Sequence, residues 1–557
     1  MASRCSTSEA RGFVILDDLT RDLRYAVRRM RRLPAAAGGV IATIASLTGC
    51  NAPQGSEGER LARASCAACH VFPEPQLLDK NTWRSGVLPE MALRLGVGTK
   101  SLFDEATRNP HSTVPAATVS EQDWQAIVQY YLERAPDTLP DQSLPAQPRI
   151  DPTFFATEPF APRMQSSGII TLLETDPAHG RIFVGEAGTN SLRIFDWNRQ
   201  PVSMLTLGSP PTDVIVDGER VLVLESGLLS PNDEPRGKLV QYDVVGDSLR
   251  FDRILIDSLL RPVFVEQFDF DEDGLSEFVI CEYGDNRGRL ALYRYDGSTY
   301  QRQVLDSAPG AIRFEIRDMT RDGHPDIVAL FAQGDERIVL FENDGRGRFA
   351  GRHRILARFP PVYGSMHFSM HDFNGDGHID ILYVNGDNFD YSRVPKPYHG
   401  VRILENDGDD TFHERYFFPV YGAARAEVAD FDQDGDLDIV TTSNFGDAER
   451  HPERGIMFLE NTGPYEFEPY AFTMASGNQW NVMTTGDLNE DGRLDVIIGA
   501  MNLDNIGRMQ RPFPGEPPAS GEAPILFFEN RAPGSARPAR TSDASDLDHP
   551  SRRRARR

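Results

Sequence analysis

The sequence predicts a mainly β protein: a seven-bladed β-propeller with a small all-α domain at its N-terminus. Three observations predict it. A strand ending in a turn recurs seven times between Leu192 and Asn530, and an acidic hairpin loop recurs five times in the same region. Upstream of both, two segments with helical spacing flank a Cys-x-x-Cys-His pentapeptide.

The 557 residues exceed one ordinary core and call for at least two domains. A net charge of −25 excludes nucleic acid as a partner, because phosphate binding needs a basic surface. The acids recur at fixed spacings, and that pattern favours bound cations. Five cysteines, Cys5, Cys50, Cys66, Cys69 and Cys281, are too few for a disulfide framework.

Residues 1–50 read as a targeting segment. Met30-Arg31-Arg32 precedes an apolar run, Ala35 to Thr48, that is too short to span a bilayer, which needs about 20 residues. Residues 1–29 fit such a segment poorly, so Met30 is the expected true start; a short rival match, from Asp22 to Pro34, resembles the opening of some bacterial export permeases. Leu47-Thr48-Gly49-Cys50 resembles a bacterial lipobox. The resemblance implies lipidation of Cys50, a tether over 51–56, and an exported protein anchored to a membrane and facing the periplasm or cell surface.

Residues 57–136 form the expected helical domain. Glu57 to Ala68 reads as a first helix. Glu121 to Arg134 reads as another, with Trp124, Ile127, Val128, Tyr131 and Leu132 at helical spacing and Ser120 as N-cap, Asp123 standing in for the capping-box glutamate. Between them Cys66-Ala67-Ala68-Cys69-His70 has the spacing of covalent haem attachment: two thiols for the vinyl groups and an adjacent histidine for the iron. A zinc half-site is the rival, but no second cysteine pair completes it. Terminal helices around this motif resemble the cytochrome c fold, which implies one covalent haem c on Cys66, Cys69 and His70. Met91, in the helical stretch Leu88 to Leu95, is the expected sixth ligand, with His111 as competitor; the segment from Phe72 to Gly96 resembles a small cytochrome domain found beside propeller repeats. Residues 137–150 are a Pro-rich, semi-rigid linker.

Residues 151–530 hold the repeats. The acidic loops carry oxygen-bearing side chains at positions 1, 3, 5 and 9. They are Asp269, Asp271, Asp273 and Glu277; Asp318, Thr320, Asp322 and Asp326; Asp372, Asn374, Asp376 and Asp380; Asp430, Asp432, Asp434 and Asp438; and Asp487, Asn489, Asp491 and Asp495. With a backbone carbonyl at position 7 and glycine at 6, this spacing suits a hard cation, and up to five Ca²⁺ ions are expected. The strand-turn motif gives one unit per repeat. The last unit lacks its outer strand, which residues 151–159 are expected to supply, closing a ring of seven blades and removing exposed edges. The first two blades, around Asp176 and Asp213, lack the acidic loop, and Cys281 reads as a buried inert thiol in a strand. The loops resemble the FG-GAP (VCBS) repeats of integrin-type propellers and their bacterial relatives. Residues 531–557 read as a disordered basic tail.

The acidic loops join the first and second strands, so the opposite face carries the longer loops between second and third strands. The longest well-patterned one supplies a candidate ligand face: Asp387, Asn388, Asp390, Tyr391, Lys396, Tyr398 and His399. His367 and His371 share a face of a neighbouring strand, where a core role is favoured over metal ligation. No Ser-His-Asp arrangement, phosphate-binding loop or HExxH motif stands out, and no catalytic residue is assigned. Three functions compete. The first is electron transfer by the haem to an unknown redox partner, with the propeller binding a glycan or protein ligand. The second is a dehydrogenase whose propeller passes electrons to the haem, against which only four tryptophans count, since quinone-dependent propellers use Trp-rich motifs. The third is adhesion.

Overall fold

The computed structural model describes residues 55–97, 116–161, 164, 166–349, 351, 353–387, 392, 394–447, 449–502 and 523–531. Cys50, His111, Asn388, Asp390 and Tyr391 lie outside the described residues, as do the signal-type segment and the basic tail beyond Arg531. No helix among the described residues is long and apolar enough to cross a membrane.

Among the described residues, the N-terminal domain is built on α1 (Glu57–Cys66), α2 (Leu88–Arg94) and α3 (Glu121–Arg134), with shorter helical turns before α2. α1 ends on the first cysteine of the pentapeptide, two residues short of the expected Ala68. It packs on α3 where Gly58 meets Ala126 and Tyr130. A Cβ at Gly58 would stand 2.3 Å from the Ala126 carbonyl oxygen, so only glycine permits this approach. Ser120 caps α3 as expected, its hydroxyl accepting the Asp123 N–H at 3.1 Å. Asp79 caps the helical turns leading to α2, accepting N–H groups from Asn81 and Thr82 at 3.0 Å each. The core gathers Ala62, Leu78, Trp83, Leu88, Ile127 and Tyr131. The polar ends of its aromatics are satisfied: Trp83 donates to the Pro75 carbonyl at 2.8 Å and Tyr131 to that of Pro73 at 3.0 Å.

Seven sheets follow, each with four antiparallel strands a to d from the axis outwards, and one of them carries a fifth strand. Blade 1 spans 170–206, blade 2 211–259, blade 3 262–306, blade 4 311–358, blade 5 365–419, blade 6 423–471, and blade 7 480–530. Each a strand touches the a strands on both sides, so the ring is complete. The expected closure is observed: Phe155–Pro159 is strand d of blade 7, pairing Phe155 with Asn530 and Pro159 with Leu526. One strand went unforeseen. Arg149–Ile150 adds to the outer edge of blade 6 in parallel with Tyr470 and Ala471.

Strand b of blades 3 to 7 is buried along its whole length, which is why the acidic loops are followed by unbroken β-branched runs rather than alternation. Every a strand carries an irregularity after its first residue, as between Ser365 and His367 or Ala423 and Arg425. A bulge at this point strengthens strand twist. It also sets Asp213, Arg313, His367 and Arg425 at one register position around the axis.

Candidate metal loops and the Cys-x-x-Cys-His segment

All five acidic loops fold alike. The first aspartate accepts the backbone N–H groups of the fifth and sixth residues: Asp430 from Asp434 and Gly435 at 3.0 Å each, Asp269 from Asp273 at 3.2 Å and Gly274 at 2.9 Å. The fourth and sixth residues are both left-handed, at φ 61° and 102° for Gln433 and Gly435. Glycine was expected at position 6; the left-handed fourth position is filled by Glu272, Arg321, Gln433 and Glu490 in four loops and by glycine only at Gly375.

This turn brings side chains 1, 3 and 5 together. Carboxylate oxygens of Asp430, Asp432 and Asp434 lie within 4.8 Å of one another, as do those of Asp269, Asp271 and Asp273. Burial, then the neighbouring Asp434, pushes Asp432 up to about 6. The donor set is hard oxygen, and two of its atoms are buried without a hydrogen-bond partner: Asp271 Oδ1 and the Thr320 hydroxyl. Both sit at position 3, where a cation would need a ligand, so these loops could hold Ca²⁺. The loops differ in neighbours. Arg294 lies 3.7 Å from Asp271 and 3.0 Å from Glu277, supplying positive charge to the first loop. No described residue forms an ion pair with Asp430, Asp432, Asp434 or Asp438.

The ninth residue also has a task besides the cation ligation expected of it. Asp438 accepts the Phe431 N–H at 3.0 Å through one oxygen and the Asn461 N–H at 2.8 Å through the other. Asp380 does the same with Phe373 and Asn406, Asp495 with Leu488 and Asn530, and Asp326 with Met319 and Asn343. The asparagine ending strand c answers with its side chain, donating to the carbonyl before the ninth residue, from Asn461 to Leu437 at 3.1 Å. The Asp–Asn pair is a clamp between the a–b loop and strand c. Its sequence signature is the Glu-Asn ending of strand c in blades 4 to 7.

In the helical domain, Cys66 is half-buried and Cys69 exposed. Burial pushes the Cys66 thiol up, opposed by a hydrogen bond to Tyr131. His70 Nδ1 lies 2.9 Å from the Val71 carbonyl. Donation there fixes the tautomer and leaves Nε2 with a lone pair for a metal. Met91 lies on α2, half-buried against the domain core.

The expected ligand face is only in part a surface. Lys396 and His399 are completely buried, and Asp387 and Tyr398 are half-buried. Tyr398 donates to the Val362 carbonyl at 3.0 Å, and both residues join the core of the helical domain. Burial lowers Lys396 to about 8, against the opposing charges of Asp79 and Asp387, and its ammonium donates to the Ser392 carbonyl at 2.7 Å. Burial also holds His399 well below its usual range. This blade-5 loop is therefore a seat for the helical domain. Arg358, at the end of blade 4, reinforces the contact, donating to the Cys69 carbonyl at 3.1 Å. His367 is buried, as favoured, and His371 lies 3.0 Å from the Ser369 hydroxyl.

The FG-GAP-like repeat family matches residues 269–329 and 318–383, covering the acidic loops of blades 3, 4 and 5. No curated protein matches the chain. Among solved structures, the dihydro-haem d1 dehydrogenase NirN in complex with DHE is similar at 15% identity and TM-score 0.39, over 80% of this chain and 92% of that one. BBS1N in complex with ARL6DN is similar at 10% and 0.39, over 69% and 99%. Saccharomyces cerevisiae Sqt1 is similar at 9% and 0.37, over 68% and 97%. The chain contains a seven-bladed β-propeller with FG-GAP-like repeats.

Proposed function

We propose that this protein is an exported electron-transfer protein that carries one haem c on its helical domain and uses its calcium-stabilised propeller to bind a ligand or partner. The observation that carries the reading is local. The single Cys-x-x-Cys-His closes a helix packed tightly on the domain's last helix, and His70 keeps Nε2 available because Nδ1 is engaged by the Val71 carbonyl. Cys66 and Cys69 would hold the haem, His70 and Met91 would ligate its iron, and the bound haem would supply one-electron chemistry. Lipidation of Cys50 would anchor the protein to a membrane. Up to five Ca²⁺ ions would occupy the acidic loops, with the orphaned oxygens of Asp271 and Thr320 as support.

A second reading draws on one contact. Arg358 holds the Cys69 carbonyl, so the attachment segment rests against the propeller. A propeller that oxidises a substrate and passes electrons to the haem would benefit from that contact. Haem staining of the denatured protein tests the common premise. Wild type should retain the stain and Cys66→Ala/Cys69→Ala should lose it; an unstained wild type from cells competent in haem attachment removes both readings.

A further inference from the structure

Blade 1 departs from blades 4 to 7 at one register position. In those blades strand c ends on the clamp asparagine, paired through its backbone with the ninth acid of the loop. Strand b begins at Arg181 in blade 1 and at Asp495 in blade 7. Phe195 faces Ile182 in the first as Phe528 faces Val496 in the second. The residue two places beyond Phe528 is Asn530, and two places beyond Phe195 is Trp197. Blade 1 has only a short turn, residues 177–180, where the others have an acidic loop, so there is nothing there for an asparagine to hold.

Trp197 instead lines a groove of about 500 Å³ at the ring-closing seam, whose other wall is blade 7. Asn489 and Glu490 come from the blade-7 acidic loop, Phe527 and Glu529 from its strand c, and Arg199 stands beside Trp197. Arg199 is fixed, its guanidinium 4.2 Å above the Phe527 ring and 2.6 Å from Glu158 of the closing strand. Glu529 pairs with Arg531, whereas Glu490 is exposed and forms no ion pair among the described residues. Trp83 at 1%, Trp124 at 6% and Trp480 at 0% exposure are enclosed in cores, while Trp197 is half-buried: it packs on the core that holds Leu488 and Phe527 and also lines the groove.

We propose that this groove binds a neutral oligosaccharide. A pyranose presents an apolar C–H face that stacks on an indole, and hydroxyl groups that bond to amide and carboxylate side chains; Trp197 supplies the first, the exposed Asn198 and Glu490 the second. Two glutamates in the rim and a net charge of −25 disfavour an anionic ligand, and the polar rim disfavours an apolar one. The site does not depend on the haem, and its loss leaves haem attachment untouched.

Calorimetric titration of the full-length protein in calcium with maltose, cellobiose and N,N′-diacetylchitobiose tests the proposal. At least one probe should bind saturably with a Kd below about 10 mM. Trp197→Ala should weaken that binding about tenfold or more, while Trp197→Phe stays within a few-fold of wild type. Should Trp197→Ala fail to fold, Glu490→Ala on the exposed turn must weaken binding by about threefold or more, since a charge-assisted hydrogen bond is lost. Absence of saturable binding by all three probes, or wild-type affinity in these variants, overturns the proposal.

Discussion

Asp438 and Asn461 tie the two ends of a blade hairpin together: the aspartate accepts the asparagine's backbone N–H at 2.8 Å while the asparagine's amide reaches the carbonyl of Leu437 at 3.1 Å. The same pairing recurs as Asp326–Asn343, Asp380–Asn406 and Asp495–Asn530. It gives the ninth residue of four of the five acidic loops a structural duty besides any cation ligation.

Removing that duty should destabilise the propeller even in chelator. Asp438→Ala strands the N–H groups of Phe431 and Asn461 in a buried site, at about 1–3 kcal/mol each at most. Melting in excess chelator should show a clear loss against wild type. An unchanged curve would mean the ninth residue matters only as a metal ligand.

Calcium should raise the melting temperature of the propeller and leave the haem spectrum unchanged. A ligand that binds only the folded state contributes about 2.7 kcal/mol at a hundredfold excess over its Kd. The Asp430 loop should bind most tightly, because three carboxylates converge there with no cationic side chain nearby. The Asp318 loop, with Thr320 at position 3, should bind least, and Arg294 should weaken the Asp269 loop. Asp432→Ala should therefore cost more stability in calcium than Thr320→Ala; the reverse order would sink the ranking.

The axial channel should make stability fall with rising pH. Burial pushes Glu266 up to about 8 and Asp213 up to about 7. Facing Glu266 are Arg313, which opposes the shift, and Glu315, Asp213 and Glu174, which add to it. A carboxyl whose folded-state affinity for protons exceeds its unfolded value favours the fold at low pH, and that contribution is lost as pH rises through the folded value. Melting temperature should decline between about pH 5 and 8. Glu266→Gln should flatten the decline, and an identical slope in the variant would assign it to other groups.

Met91 should be the haem's sixth ligand. A thioether ligand to ferric haem gives a charge-transfer band toward the red, which Met91→Ala should abolish. Its survival in the variant would pass the role to another side chain, His111 being the first to test.

The fold was legible because two periodicities overlap: the acidic loops mark the a–b turns, and the seven recurring strand-turn units, four of them ending in Glu-Asn, mark strand c. Closure by residues 151–159 could be read because Asp151-Pro152-Thr153-Phe154 mirrors Asp410-Thr411-Phe412. Interfaces were not legible. Lys396 and His399 lie in a long, polar loop that looks solvated in sequence, and nothing local announces the helical domain resting on it through Tyr398 and Val362. The parallel strand Arg149–Ile150 is two residues long, too short for any pattern. The glutamates closing strand b, Glu225 and Glu282, each accept a backbone N–H from the loop leading into their own blade, from Ser209 at 3.1 Å and Leu260 at 2.8 Å. Such partners lie far along the chain and leave no spacing to detect.

The most direct test of the central claim is the intact mass of the exported protein after denaturation and acid-acetone extraction. The account predicts a polypeptide heavier by one haem, carried on the segment that contains Cys66 and Cys69. A mass equal to the unmodified polypeptide, with all haem in the extract or none found at all, would contradict it.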